Sequence, residues 1–278
     1  MYDAIVIGGG PAGLQAALTL GRMHRSVLLL DSGQYRNAPA AAMHNFLSHD
    51  GTPPADLRAA VRAELAGYDT VEVREIAATR VLGSAGAFTV ALIDGSLEEA
   101  ASILLATGVR DRLPAVPGLD ALFGDVVAHC PFCHGHEFAG GRVVIQDGPH
   151  ALALAGMMAP VAAEVVIPDS DVVGLRAGGA GVLVELADGT EIDAAGFFVQ
   201  VAFEQSAPFA EQLGLTLLES GCVRVDGFGR TSVDGVYAAG DLAHTPEHPM
   251  PMASVLTAAA AGLVAAASIV RDRVLATL

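Results

Sequence analysis

The sequence predicts an α/β protein of two Rossmann-like, three-layer (ββα) domains, the second degenerate and shortened. Three observations predict it. The apolar run Ile5-Val6-Ile7 breaks into Gly8-Gly9-Gly10-Pro11-Ala12-Gly13, then a helical pattern from Leu14 to Leu20 and a second apolar run ending at Asp31. A second strand–turn–helix–strand order begins at Gly141. From Val223 the chain returns to short strands, Gly240-Asp241 and a final helix. The duplication is one of architecture, not of sequence.

The elements follow in order. Ile5-Val6-Ile7 and Val27-Leu28-Leu29-Leu30 are short buried-type strands on either side of the first helix. Residues 52–68 read as a helix, because Pro53 and Pro54 suit its first turn and Leu57, Val61 and Leu65 share one face. Strands are expected at 71–73, 80–82, 88–92 and 103–106, the last running into Thr107-Gly108. The prolines of Leu113-Pro114-Ala115-Val116-Pro117-Gly118 mark a linker. Beyond it come a strand at Val143-Val144-Ile145, a turn at Gln146-Asp147-Gly148-Pro149, a helix over 150–162 and a strand at Val165-Val166-Ile167. Further strands are expected at 182–186 and 197–201. This divides the chain into a discontinuous domain, 1–112 with 225–278, and an inserted one, 113–224.

Composition narrows the function. The 278 residues are 52% hydrophobic and 17% charged, which excludes a disordered chain. A net charge of −16 argues against nucleic acid as a partner, since phosphates need a positive footprint. All 15 basic residues are arginine, so no lysine can serve as a phosphate clamp, Schiff base or general base. The alanine-rich stretch 253–270 is long enough to span a bilayer but has few large apolar residues, so it reads as a core helix, with no membrane partner. The N-terminus has no cationic region or cleavage site, and three cysteines are too few for a secreted framework; both point to the cytoplasm.

The glycine cluster has the spacing G-x-G-x-x-G. Gly8 permits the tight turn, Gly10 lets a pyrophosphate approach the backbone and Gly13 lets the helix pack on the strand. Pro11 and Ala12 open the helix whose N-terminus faces the phosphates. Asp31, followed by Ser32, ends the second strand, where a carboxylate can accept from a ribose hydroxyl. Near the C-terminus, Gly235-Val236-Tyr237-Ala238-Ala239-Gly240-Asp241 is a strand ending in a glycine, with Asp241 placed for a sugar or ribityl hydroxyl. A third cluster is Cys130-Pro131-Phe132-Cys133-His134-Gly135-His136. Its C-x-x-C spacing fits a dithiol/disulfide pair; C-x-x-C-H is formally a haem attachment, which would need export. Two thiolates and two imidazoles could also ligate zinc, although they lie within seven residues rather than on two knuckles.

Together, the fingerprint, Ala106-Thr107-Gly108 and Gly240-Asp241 resemble the FAD-binding pattern of thioredoxin-reductase-like flavoproteins, over nearly the whole chain. The resemblance implies that FAD is the cofactor, that Cys130 and Cys133 are the redox pair, and that Cys133 faces the flavin while Cys130 exchanges with substrate. It also implies a homodimer. Within that family, C-P-F-C-H-G-H and the stretches 21–37 and 45–54 resemble the dithiol oxidases that close disulfides in small natural products. His134 or His136 would take a proton from Cys130, with His136 favoured because His134 directly follows Cys133. Asn45, flanked by His44 and His49, lies in a loop that could cover the flavin; His244 and His248 could line its edge, and Cys222 reads as a small buried residue.

The chain departs from the family at its second turn. Gln146 stands where the first glycine of a nucleotide turn is expected, and Asp147 adds negative charge where a pyrophosphate would sit. Pro168-Asp169-Ser170-Asp171 follows the next strand in place of arginines for a 2′-phosphate. The expectation is an FAD-dependent thiol–disulfide oxidoreductase that passes electrons from a substrate dithiol through the pair to FAD and on to oxygen. The alternatives are a reductase fed by NAD(P)H or another carrier, and a flavin-binding scaffold. The partner would be a small dithiol or disulfide, or a thioredoxin-like protein.

Overall fold

The computed structural model describes all 278 residues. In chain order, β1 (Ala4–Ile7), α1 (Pro11–Arg22), β2 (Val27–Leu30), α2 (Pro54–Leu65) and β3 (Val71–Arg74) come first. A meander of β4 (Ala78–Ser84), β5 (Ala87–Leu92) and β6 (Leu97–Ala100) precedes β7 (Ile103–Leu105) and β8 (Val109–Arg112). Next are α3 (Leu119–Leu122), β9 (Val127–Ala128), α4 (Pro131–His134), β10 (Arg142–Ile145), α5 (Ala151–Met158) and β11 (Glu164–Val166). A second meander, β12 (Val172–Ala177), β13 (Val182–Leu186) and β14 (Glu191–Ala194), leads to β15 (Gly196–Phe198) and β16 (Ala202–Gln205). The chain closes with α6 (Phe209–Gln212), β17 (Val223–Arg224), β18 (Val236–Ala238), β19 (Ala243–His244) and α7 (Val255–Leu275).

Two compact units form. The first comprises 1–36, 55–110 and 203–278; the second comprises 37–54 and 111–202. Two segments therefore fall elsewhere than the sequence suggests. Residues 203–224 join the first unit because Phe209, Ala210, Leu215 and Val223 are buried in its core. Residues 37–54 leave it, taking Asn45 into the second unit.

In the first unit a parallel sheet has the order β18-β7-β1-β2-β3. Successive side chains of a strand point to opposite faces, so the two faces of this sheet bury two separate cores. Ala4, Val6, Val27, Leu29 and Leu104 pack with α1 and α7, whereas Ile5, Ile7, Leu28, Leu30, Ile103 and Leu105 pack against Val81, Phe88 and Val90 of the meander. That is the three-layer ββα arrangement. Helix α7 is long and apolar enough to cross a membrane by length and composition, and here it lays Ala258, Gly262, Ala265 and Ile269 into the core. A Cβ on Gly262 would overlap the Ala12 carbonyl oxygen, so the small residue lets α7 sit directly on α1.

The second unit repeats the plan in reduced form. Its parallel sheet has only β11-β10-β15-β9, and the chain goes from β11 into the antiparallel meander without a helix. Val144 and Phe197 face the meander; Val143, Ile145 and Phe198 face α5, Phe138 and Met158.

Candidate redox and cofactor sites

In the first unit, the predicted cofactor residues gather at the carboxyl ends of adjacent parallel strands, where open α/β sheets bind ligands. Gly8 follows β1, Asp31 follows β2, Ala106-Thr107-Gly108 follow β7, and Gly240-Asp241 come two residues after β18. The ladder continues past the strand ends: the N–H of Gly8 donates to Leu30 O at 2.8 Å, Ala106 to Ile7 O at 2.8 Å, and Ala239 to Leu105 O at 2.9 Å. Gly8 has φ +121°, a conformation that side chains rarely adopt, and a Cβ there would run into the Ala106 carbonyl. A Cβ on Gly13 would overlap the Gly8 carbonyl oxygen, so helix and turn touch backbone to backbone. Gly10 caps α1 with Pro11 next, and no atom lies within 4 Å of its Cβ position. The turn is thus packed behind and open in front, as a pyrophosphate needs.

Asp31 is buried and accepts from three donors, which leaves acceptor capacity on Oδ1. Its Oδ1 accepts from the Gly33 N–H at 2.9 Å; its Oδ2 accepts from Tyr35 Oη at 2.6 Å and from the Arg62 guanidinium. The guanidinium of Arg58 lies 3.8 Å from the Tyr35 ring centroid. Burial, and then the hydrogen bond and charge of Asp31, push the Tyr35 hydroxyl up to about 12, so it stays a donor. Ser32 is exposed. A cavity of about 110 Å³ lies beside Gly240 and Asp241, walled by Met252, Thr257 and Ala261 at the start of α7, where Ser254 Oγ caps the helix by accepting from the Thr257 N–H at 3.1 Å. Tyr35, Arg36, Arg58 and Arg62, none of them singled out as site residues by the sequence, gather around Asp31 and Asp241. Their trace in the sequence is that Tyr35 and Arg36 fall in the stretch 21–37 that carries the resemblance.

In the second unit, Cys130 and Cys133 form a disulfide, with their Cα atoms 5.3 Å apart. Cys130 is the N-cap of α4 and Pro131 its first residue; the N–H groups of Cys133 and His134 both point at the Cys130 carbonyl, at 3.2 Å. Phe132, between the cysteines, is 70% exposed, so the pair stands at the surface of the fold. His134 is half-buried. Its Nε2 lies 3.3 Å from the Gly124 carbonyl, which can only accept, so Nε2 carries the proton and Nδ1 is the basic nitrogen. That Nδ1 is buried with no partner. Burial holds the His134 imidazole below its ordinary pKa, keeping it neutral. His136, the histidine the sequence favoured, is exposed on the following turn. His44 lies between Glu137 and Asp50, at 3.5 and 3.6 Å, and Asn45 donates its N–H to Asp50 at 2.7 Å. His244 is buried between Ser220 Oγ and the Thr245 carbonyl, and Cys222 is a buried free thiol.

The turn after β10 is closed. The Gly148 N–H donates to Asp147 Oδ1 at 2.8 Å, and Gln146 Oε1 accepts from the Gln200 N–H at 3.2 Å. The Gln200 amide fills the space a Cβ on Gly148 would occupy.

A dinucleotide turn on one sheet and a surface disulfide on a helix N-terminus in the other unit define a disulfide oxidoreductase with a dinucleotide cofactor. The chain belongs to the pyridine nucleotide-disulphide oxidoreductase family, which it matches over residues 2–171 and 165–262. It is 32% identical to thioredoxin reductase tcpT of Claviceps purpurea over 87% of this chain and 86% of that protein. A thioredoxin reductase of Arthroderma benhamiae is 40% identical over 142 residues, and there the match spans 35% of the longer protein. An oxidoreductase from Agrobacterium tumefaciens superposes with a TM-score of 0.91 at 32% identity, over 99% of both chains. The protein is therefore a thioredoxin-reductase-like enzyme, and its family cofactor, FAD, fits the open turn and the two carboxylates of the first unit.

Proposed function

We propose that this enzyme is an FAD-dependent dithiol oxidase. The observation that carries the reading is the closed turn of the second unit. The Gly148 N–H donates to the Asp147 carboxylate, Gln146 Oε1 accepts from the Gln200 N–H, and the Gln200 amide fills the space beside Gly148. No arginine follows β11 to meet a 2′-phosphate; Asp169 and Asp171 do. An anionic dinucleotide would have to displace a carboxylate and enter an acidic loop. Electrons must then enter through the disulfide itself.

A substrate thiolate attacks Cys130 Sγ, forming a mixed disulfide and releasing Cys133 as thiolate. The second substrate thiol, deprotonated, attacks the mixed disulfide; the substrate leaves as a disulfide, and the pair holds two electrons. When bound, FAD supplies the two-electron acceptor that reoxidises the pair, with oxygen as the final acceptor giving hydrogen peroxide. We assign His134 as the proton acceptor for these thiols, because its Nδ1 is the basic nitrogen and is buried without a hydrogen-bond partner.

The test is oxygen consumption by the holoenzyme with a model dithiol, beside an anaerobic addition of NADPH. The reading expects peroxide formation with dithiol and a flavin that keeps its colour with NADPH. Rapid bleaching by micromolar NADPH would overturn it. That outcome belongs to a second reading, favoured by relatives described as thioredoxin reductases: a disulfide reductase acting on a thioredoxin-like protein.

A further inference from the structure

Tyr35 and Arg36 are neighbours in sequence and reach different ends of the cofactor site. Tyr35 Oη donates to Asp31 Oδ2 at 2.6 Å, and Arg36 Nη1 donates to Asp241 Oδ2 at 2.8 Å. These are the two carboxylates assigned to hydroxyls of the cofactor's ribose and ribityl portions. The Arg36–Asp241 pair is largely withdrawn from water, with side chains 16% and 20% exposed, so the attraction is weakly screened. The guanidinium of Arg36 also stacks on the Phe203 ring, 4.7 Å from its centroid, which sets the plane of its donors.

Asp241 is fixed from several sides. Its carbonyl accepts from the Cys222 thiol at 3.6 Å. The preceding Gly240 has φ +85°, and its Cβ position lies 3.0 Å from the Ala12 methyl, so this backbone is tied to the fingerprint helix. Backbone contacts leave the carboxylate its χ rotations, and the ion pair with Arg36 is a side-chain contact that restrains them.

We propose that Arg36 is a positioning residue for FAD: it fixes the Asp241 carboxylate in the rotamer that accepts from a cofactor hydroxyl. With Tyr35 on Asp31, residues 31–36 become a strap that sets the spacing of both carboxylates before the cofactor arrives. Pre-organisation of this kind gives affinity by removing the ordering cost from the binding step. The inference rests on FAD binding between Asp31 and Asp241.

The experiment is a double-mutant cycle on flavin-stripped protein, titrated with FAD and read by quenching of flavin fluorescence. Arg36→Met and Asp241→Asn are each expected to raise the FAD Kd by about tenfold or more, the scale of a lost charge-assisted hydrogen bond. In the Asp241→Asn background Arg36→Met should add less than about threefold, because its effect runs through that carboxylate. Both single variants should shift the bound-flavin absorption bands in the same sense. Arg36→Lys, which keeps the charge without the fork, should recover part of the affinity, and it carries the cycle if Arg36→Met does not fold. The stripped variants should melt with stripped wild type. Wild-type affinity in Arg36→Met beside weakened Asp241→Asn overturns the proposal and leaves the FAD site standing. So do additive effects, or a stripped Arg36→Met protein that melts as far below wild type as its loss of affinity implies. Failure of stripped wild-type protein to rebind FAD overturns the site reading beneath it.

Discussion

The turns at Gly8–Gly13 and Gln146–Ala151 have the same place in the same topology, each between a first parallel strand and the helix after it. They differ in what occupies the mouth. At the first, three glycines bring backbone against backbone, Pro11 starts the helix, and no atom lies within 4 Å of the Gly10 Cβ position. At the second, a carboxylate, a glutamine side chain and a second glutamine fill the same kind of space. One topology thus presents two turns whose mouths are lined differently. The fold supplies a helix N-terminus; the residues of the turn decide whether a phosphate or the protein's own side chains use it.

The comparison can be broken most severely at the cysteines, where electrons enter under the proposed dithiol-oxidase reading. Cys130→Ser or Cys133→Ser should reduce dithiol turnover by at least about 10³-fold, since neither thiol alone can close a disulfide, while FAD content stays normal. Measuring flavin absorbance and turnover on one sample checks both halves. Next in size, Gly13→Val should abolish FAD retention by forcing α1 off the Gly8 carbonyl, whereas Gln146→Val, in the turn of the second unit, should leave FAD content unchanged. Flavin released on heating and quantified by chromatography reports this.

His134→Gln should cost about 10²–10⁴-fold in turnover and remove the acidic limb of the pH profile; His136→Ala should change neither by more than about twofold. Because burial lowers the His134 pKa, the neutral base persists below the ordinary value of about 6.5, and the rate should fall only as pH drops through that depressed pKa. A limb centred above about 7 would name another base. The smallest effect is the most direct on the comparison: Asp147→Gly with Gln146→Gly, which frees the Gly148 N–H. It should raise NADPH affinity by no more than about tenfold, because Asp169 and Asp171 remain. Isothermal titration of the variant against wild type measures it.

Local patterns made most of the fold legible. The fingerprint, the period of α2, the buried strands and the cysteine pair all lie within short windows, and each is where the sequence predicted an element. What escaped depends on distant partners. Residues 203–224 contain little periodicity, and only the burial of Phe209 and Leu215 under the first sheet assigns them there. The meander β12–β14 begins in Val172–Ala177, whose Gly174 and Arg176 hide the strand, and its ladder is supplied by β13. At the site, Asp241 was legible from the glycine before it, whereas its partner Arg36 stands 205 residues away and no spacing rule connects them. His134 and His136 could be told apart only by burial.

The first unit is assembled from 1–36, 55–110 and 203–278, and its edge strand β18 and the helix α7 on which α1 rests come from the last of these. On a ribosome the order of emergence becomes a timetable. Chains leave at about 5–20 residues per second, and a unit closes once its last segment is out. The cysteines and every strand of the second unit emerge before β18, so the thiols are made and can meet oxidants while the flavin has nowhere to dock. Holoenzyme formation is thus expected only after the last segment of the first unit has emerged.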